Sequence, residues 1–201
     1  MPRFSIATEA TRWIAALLLL ALATYSLGWW LPALVVLAIA GALGWLFRER
    51  FNPLHFSPLE VTAPCHGACV RSELDYDPWV ERRARRIDIQ IGLTSGYRFF
   101  APIEAKIVDV RVRRSGRRSQ RVEIWLRTDE GDDVVVRLEQ NWPARFRLNY
   151  APGERIGHGR AIGFAPFGGE CSVWMPDTVE PLAEPGAEVE APGMALARLL
   201  R

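Results

Sequence analysis

Residues able to do chemistry are few and clustered. Cys65, His66 and Cys69 form a Cys-His-x-x-Cys group, and a third cysteine, Cys171, is followed by Ser172. Thiolates and an imidazole are zinc ligands, yet a structural zinc site needs four donors in tetrahedral geometry. This cluster supplies three, so it reads first as an ordinary turn leading into a strand, and no metal is assigned. Cys171 and Ser172 are the candidate nucleophiles of the C-terminal part, set against the usual role of a free cysteine as a small buried hydrophobe. Three cysteines in a chain of 201 residues give no disulfide framework and point to a reducing compartment. His158, between Gly157 and Gly159, is expected at an exposed turn.

Two very different segments must position these groups. From Trp13 to Phe47 no residue is charged, which is longer than the ~20 residues that cross a bilayer once. The run is broken by Gly28-Trp29-Trp30-Leu31-Pro32, where Gly and Pro interrupt a helix and paired Trp favour a membrane interface. Two helices are expected, about Trp13–Leu27 and about Leu31–Phe47. Each is at the short limit for a span, so a transmembrane and a re-entrant hairpin both stay open. Arg3 and Arg12 before the run, and Arg48 and Arg50 after it, place both ends on the cytoplasmic side of an inner membrane. The run far exceeds the ~7–15 apolar residues of a signal peptide. The expected organisation is a cytoplasmic N-terminus over 1–12, the hairpin over 13–47, a linker over 48–60 and a β domain over 61–201.

The β domain is read from alternation. Lys106–Val112 and Arg121–Arg127 alternate polar with apolar residues, and Val61–Val70, Ile87–Leu93 and Asp133–Leu138 are short runs rich in Val and Ile. Such runs are half-buried or buried strands. Glu73–Arg86 is expected as the one helix or long loop among them. A weak repeat is present: Ala63–Val70 echoes Ala101–Val108, and Pro152–Gly159 echoes Pro185–Gly193. Each copy is a turn followed by a strand, the pattern of a barrel-sandwich hybrid. The carrier domains with that fold need a lysine on a hairpin tip, whereas Lys106, the only lysine, sits in a strand-like run. The fold class is therefore mainly β, barrel-sandwich-hybrid-like, behind an N-terminal helical hairpin.

Formal net charge is +2, so bulk charge selects no partner. Arginines cluster locally, at Arg82, Arg83, Arg85 and Arg86 and again between Arg111 and Arg118. Beside a membrane hairpin these are candidate contacts to anionic phospholipid headgroups; away from one they are a solvated face and a hairpin tip. No aromatic stacking pattern is interleaved with them, so nucleic acid is not expected as a partner. Nothing identifies a protein partner.

The order of segments resembles the short bacterial phosphatidylserine decarboxylases over essentially the whole chain. An apolar hairpin is followed by Phe47-Arg48-Glu49-Arg50, then Ala63-Pro64-Cys65-His66-Gly67, then Gly92–Pro102, then Phe167-Gly168-Gly169-Glu170-Cys171-Ser172-Val173-Trp174-Met175-Pro176, and a closing Glu184–Leu199. The resemblance implies self-cleavage at a Gly-Ser bond, with the Ser becoming a pyruvoyl group that acts as electron sink for decarboxylation. It also places the family's catalytic Asp at His66, its His at Tyr97 (a second His of some members near Phe100) and its pyruvoyl-forming Ser at Gly169. All three roles are vacant, so no pyruvoyl cofactor is supported. A cleavage shifted to Cys171–Ser172 would need the turn re-registered.

Three functions follow from this reading. The first is a membrane-anchored, non-catalytic homologue associated with phospholipid metabolism. The second is an active decarboxylase, with atypical residues, that makes phosphatidylethanolamine. The third is a membrane-tethered β domain with a structural or interaction role.

Overall fold

A computed structural model describes residues 3–6, 8–46, 48–51, 57–93, 95–115, 119–141 and 145–200. It divides into two compact units, Met1–Asn52 and Pro53–Arg201. Parts of the sequence reading lie outside the described residues: Phe47, the linker residues 52–56, and Gly116-Arg117-Arg118.

The first unit contains β1 (Arg3–Ile6), α1 (Thr8–Ser26), α2 (Trp30–Leu46) and β2 (Arg48–Phe51), with β1 antiparallel to β2. The helix break falls where Gly and Pro put it. Gly28 has φ 78°, and the amides of Gly28 and Trp29 donate to the carbonyls of Tyr25 and Thr24. That is the left-handed glycine cap that satisfies the last carbonyls of a helix. Pro32 enters the first turn of α2, where its missing N–H costs nothing. α1 starts five residues before Trp13, because nothing in Thr8–Arg12 breaks the helix. Along both helices and the break between them large apolar side chains are exposed, among them Trp13, Leu19, Trp29, Trp30, Leu34 and Trp45. Among the described residues no helix is long and apolar enough to cross a membrane. The 17 residues of α2 reach only about 26 Å, short of a ~30 Å hydrocarbon core.

The second unit is all strand: β3 (Glu60–Thr62), β4 (Gly67–Asp77), β5 (Arg82–Ile91), β6 (Arg98–Phe100), β7 (Ala105–Ser115), β8 (Ser119–Arg127), β9 (Asp133–Asn141), β10 (Arg147–Leu148), β11 (Arg155–Ile156), β12 (Ala161–Phe164), β13 (Gly169–Pro176), β14 (Val179–Pro181), β15 (Glu188–Val189) and β16 (Ala195–Leu199). An eight-stranded sheet, ordered β11-β7-β8-β9-β13-β5-β4-β15, curls into a half-barrel. Two three-stranded sheets, β10-β12-β6 and β14-β16-β3, complete the unit. Alternation directs Ile87, Ile89, Ile107, Ile124, Leu126 and Leu138 into one continuous core. On the opposite face Ala84, Val135 and Trp174 form a smaller cluster with Trp79, Val80 and Trp125. β13 is covered on both faces, which is why its sequence does not alternate.

The weak repeat is a structural one. Phe100 N donates to Pro64 O and Thr62 N to Pro102 O, both at 2.8 Å, so the two turns reciprocate. Cys69 N donates to Ala187 O as Ile107 N does to Glu154 O, and Gly186 N to Cys69 O as Gly153 N to Ile107 O. β15 lies on β4 as β11 lies on β7. Each Pro-Gly turn thus clamps the strand of its own repeat.

Glu73–Arg86 is not a helix or long loop but the β4–β5 hairpin. Its polar residues alternate with the pleat. Arg86 stacks on Trp174 at 5.0 Å and pairs with Asp88 and Asp75, while Ala84 is buried under the Trp cluster. The turn is fixed by Trp79 N donating to Asp77 Oδ1 and by Glu81 at φ 56°.

Candidate functional site

Three loops meet at one end of the half-barrel: the turn carrying His66, the loop carrying Tyr97, and Pro166–Gly169. The register places them there. Gly169, opening β13, is opposite Ile91, closing β5, and Gln140 lies near the end of β9 that runs beside β13. His66 Nδ1 accepts a hydrogen bond from Ala191 N at 3.2 Å, and its ring lies against Gly96, where an added Cβ would sit 3.1 Å from Cδ2. Tyr97 is 2 % exposed, donates its hydroxyl to Leu93 O at 2.7 Å, and meets Phe164 and Phe167 ring to ring at 5.9 and 5.7 Å. Burial pushes the Tyr97 phenol pKa up, which keeps it neutral and a donor.

The third loop is tightly held. Gln140 Nε2 donates to Pro166 O and to Gly168 O, each at 2.9 Å, and Gln90 Nε2 donates to Gly169 O at 3.1 Å. Phe167, Gly168 and Gly169 all have positive φ, at 62°, 77° and 144°. At Gly169 the space is closed as well: a Cβ would lie 2.6 Å from Glu139 O and 3.0 Å from Gln140 Cγ. Only glycine fits this backbone.

Relatives are found by sequence. The chain is 25 % identical over 207 residues to a phosphatidylserine decarboxylase proenzyme of Nitrosomonas eutropha, covering 98 % of this chain and 96 % of the relative. The same name belongs to matches in Nitrosomonas europaea, 25 % identical over 87 % and 86 % of the two chains, and in Burkholderia vietnamiensis, 25 % identical over 92 % and 90 %. This chain is a diverged homologue of the phosphatidylserine decarboxylase proenzymes. No family model matches it, and no solved structure is significantly similar.

Within this decarboxylase homologue His66, Tyr97 and Gly169 lie at the same end of the half-barrel. They are linked through Gly96, beside Tyr97, and through Phe167, beside Gly168. The candidate nucleophiles do not sit in that loop. Cys171 and Ser172 are in the body of β13, paired to β5 on one side and β9 on the other, and are 0 % and 4 % exposed. Burial, followed by contact with Cys65, pushes the Cys171 thiol well up, away from the reactive thiolate. All three cysteines are free and buried. Cys69 Sγ is spent on Arg71 O at 3.6 Å, and burial raises its pKa too. Among the described residues no group of three or more His, Cys, Asp or Glu is placed to hold a metal ion.

The arginines nominated as lipid contacts do not form one patch. Arg83 is exposed, Arg85 is half-buried, Arg82 reaches Asp133 O at 2.7 Å, and Arg86 is committed to Asp88 and Asp75. They lie at the other end of the half-barrel from Gly169. His158 also departs from expectation: it is half-buried, not an exposed turn residue. The Thr62 hydroxyl donates to Pro102 O, so it accepts from His158 Nε2 at 2.9 Å. Burial lowers the His158 pKa and keeps the ring neutral. His158 lines a cleft of about 430 Å³ with Ile103, Glu104, Thr128 and Asp129.

Gln140 was not singled out by sequence reading, although a signal exists. Val134, Val136, Leu138 and Gln140 share one face of β9, and a polar residue continuing a core-facing series marks a special role.

Proposed function

We propose that this protein is a membrane-anchored, non-catalytic homologue of phosphatidylserine decarboxylase that keeps the scaffold as a phospholipid-binding or regulatory component. The observation that carries the reading is Gly169. Self-processing in the family consumes a serine hydroxyl, and here that position has no side chain and no space for one. A pyruvoyl group does not fit these residues. Gly169 cannot generate it, and Ser172, the first serine beyond it, is hydrogen-bonded sheet on both sides. Tyr97 and Phe167 fill the space between the loops with aromatic rings where acid–base groups would be required.

The anchoring follows from the exposed apolar surface of α1 and α2. With neither helix long and apolar enough to cross, a re-entrant hairpin in the inner leaflet is the form that suits them, with both ends and the β domain on the cytoplasmic side. The exposed Trp13 and Trp45 then sit at the headgroup level.

The test is turnover on phosphatidylserine vesicles with the full chain. The reading predicts sedimentation with vesicles and no release of carbon dioxide. Phosphatidylethanolamine formed at a rate proportional to protein concentration would overturn it in favour of an active enzyme with atypical residues.

A further inference from the structure

We propose that the β7–β8 hairpin is a second membrane contact, with Arg113 and Arg114 docking on the anionic headgroups of a bilayer so that the His66–Tyr97–Gly169 end of the β domain faces the lipid. The inference rests on the reading that the α1–α2 hairpin anchors the chain.

Three observations support it. The first is an unbalanced pairing. Arg113 lies directly opposite Arg121, and like charges at that position in a sheet are destabilising. Arg121 is neutralised by Glu139 at 2.7 Å, which leaves Arg113 without an acidic partner among the described residues. Arg114, opposite Gln120, has none either. The second is exposure. Arg113, Arg114 and the apolar Val112 beside them are all open to solvent, with Val112 52 % exposed, because the strands run past the core. Cationic side chains flanking an exposed aliphatic one suit an anionic, partly apolar interface. In sequence no acidic residue occurs from Arg111 to Arg121.

The third is position. Arg114 pairs with Gln120 and Gln120 with Gln140, the residue that holds the Gly168–Gly169 loop. Arg114 is therefore three strand spacings, about 14 Å, from Gly169 along the same end of the sheet. A headgroup at the His66–Tyr97–Gly169 loops and a neighbouring anionic lipid under Arg114 would lie in one membrane plane. Arg83, the exposed arginine of the β4–β5 hairpin, is at the opposite end of β5 from Ile91 and serves as the control.

The experiment compares the full-length chain with Arg113→Ser/Arg114→Ser and with Arg83→Ser. Binding is measured to vesicles of phosphatidylcholine alone and of phosphatidylcholine mixed with phosphatidylglycerol. The double variant should bind mixed vesicles roughly 25-fold more weakly than the parent, about 2 kcal/mol at 1.4 kcal/mol per decade. Binding to phosphatidylcholine should not change, and Arg83→Ser should match the parent on both. Added salt should narrow the gap on mixed vesicles. Full retention of mixed-vesicle binding by the double variant overturns the proposal, as does an equal loss in Arg83→Ser. So does a preference of the parent for single-stranded nucleic acid over mixed vesicles. Failure of the parent to bind phosphatidylcholine would count against the anchor alone, because the charge-dependent increment is still read on mixed vesicles. Both arginines are exposed, so their loss leaves folding intact, which a thermal melt verifies.

Discussion

Adding a side chain at Gly169 gives the sharpest physical prediction. Two costs are separable in a Gly169→Ala variant. Holding a residue with a Cβ at positive φ costs roughly 1–2 kcal/mol, and φ here is 144°. Forcing the Cβ to within 2.6 Å of Glu139 O adds an overpacking cost of roughly 1–3 kcal/mol. The sum is about 2–5 kcal/mol. A domain of this size shifts by about 2–4 °C per kcal/mol, so the midpoint should fall by about 10 °C. Gly131→Ala isolates the first cost, because Gly131 has φ 93° with nothing within 4 Å of the added Cβ; its midpoint should fall by only about 4 °C. Thermal unfolding followed by circular dichroism measures both. Equal losses in the two variants would refute the claim that the Glu139 carbonyl closes the site. Gly169→Ser should show the same destabilisation and should not cleave itself, since the Glu139 carbonyl leaves no space for the side chain.

Other predictions follow from separate parts of the molecule. Gln140→Leu removes both donors to the Pro166 and Gly168 carbonyls, and should lower stability by about 2–4 kcal/mol and open 166–169 to limited proteolysis; unchanged protection would refute the clamp. His158 has a pKa below its ordinary 6.5, so the unfolded chain binds the extra proton and stability falls as pH drops below about 6.5. His158→Gln should flatten that slope in urea titrations, and an identical slope would count against a neutral buried ring. Native protein at pH 8 should not react with a thiol-specific disulfide reagent, whereas unfolded protein should release three equivalents, one for each buried cysteine; rapid reaction of one thiol in the native state would contradict the burial of Cys171. Leu19→Arg together with Leu34→Arg, both on the exposed apolar surface of the helices, should abolish binding to phosphatidylcholine vesicles; retained binding would remove the hairpin as anchor.

Much of the fold is legible in the residues for identifiable reasons. β7 and β8 alternate because one face meets the core and the other meets water. The Pro-Gly turns stand out because their backbone needs those residues. Gly28 and Pro32 mark the helix break because capping chemistry is local. The misreadings came from tertiary compensation. Arg82–Arg86 looks unlike a strand until Trp174, Asp88, Asp75 and Asp133 are seen to receive those arginines. His158, a turn residue, looks exposed because its partner, Thr62, is 96 positions away in the chain. The order of motifs brought His66, Tyr97 and Gly169 forward as one site, but the steric closure at Gly169 depends on the β9 carbonyl beside it, which no local pattern encodes.

The central claim is that this scaffold cannot make the pyruvoyl group of its relatives. Intact mass spectrometry of the purified full chain, before and after borohydride treatment in the presence of phosphatidylserine, tests it most directly. The account predicts one uncut chain near 22.7 kDa with no reducible adduct. Two fragments divided between Gly168 and Ser172, with an adduct on the smaller one, would contradict it.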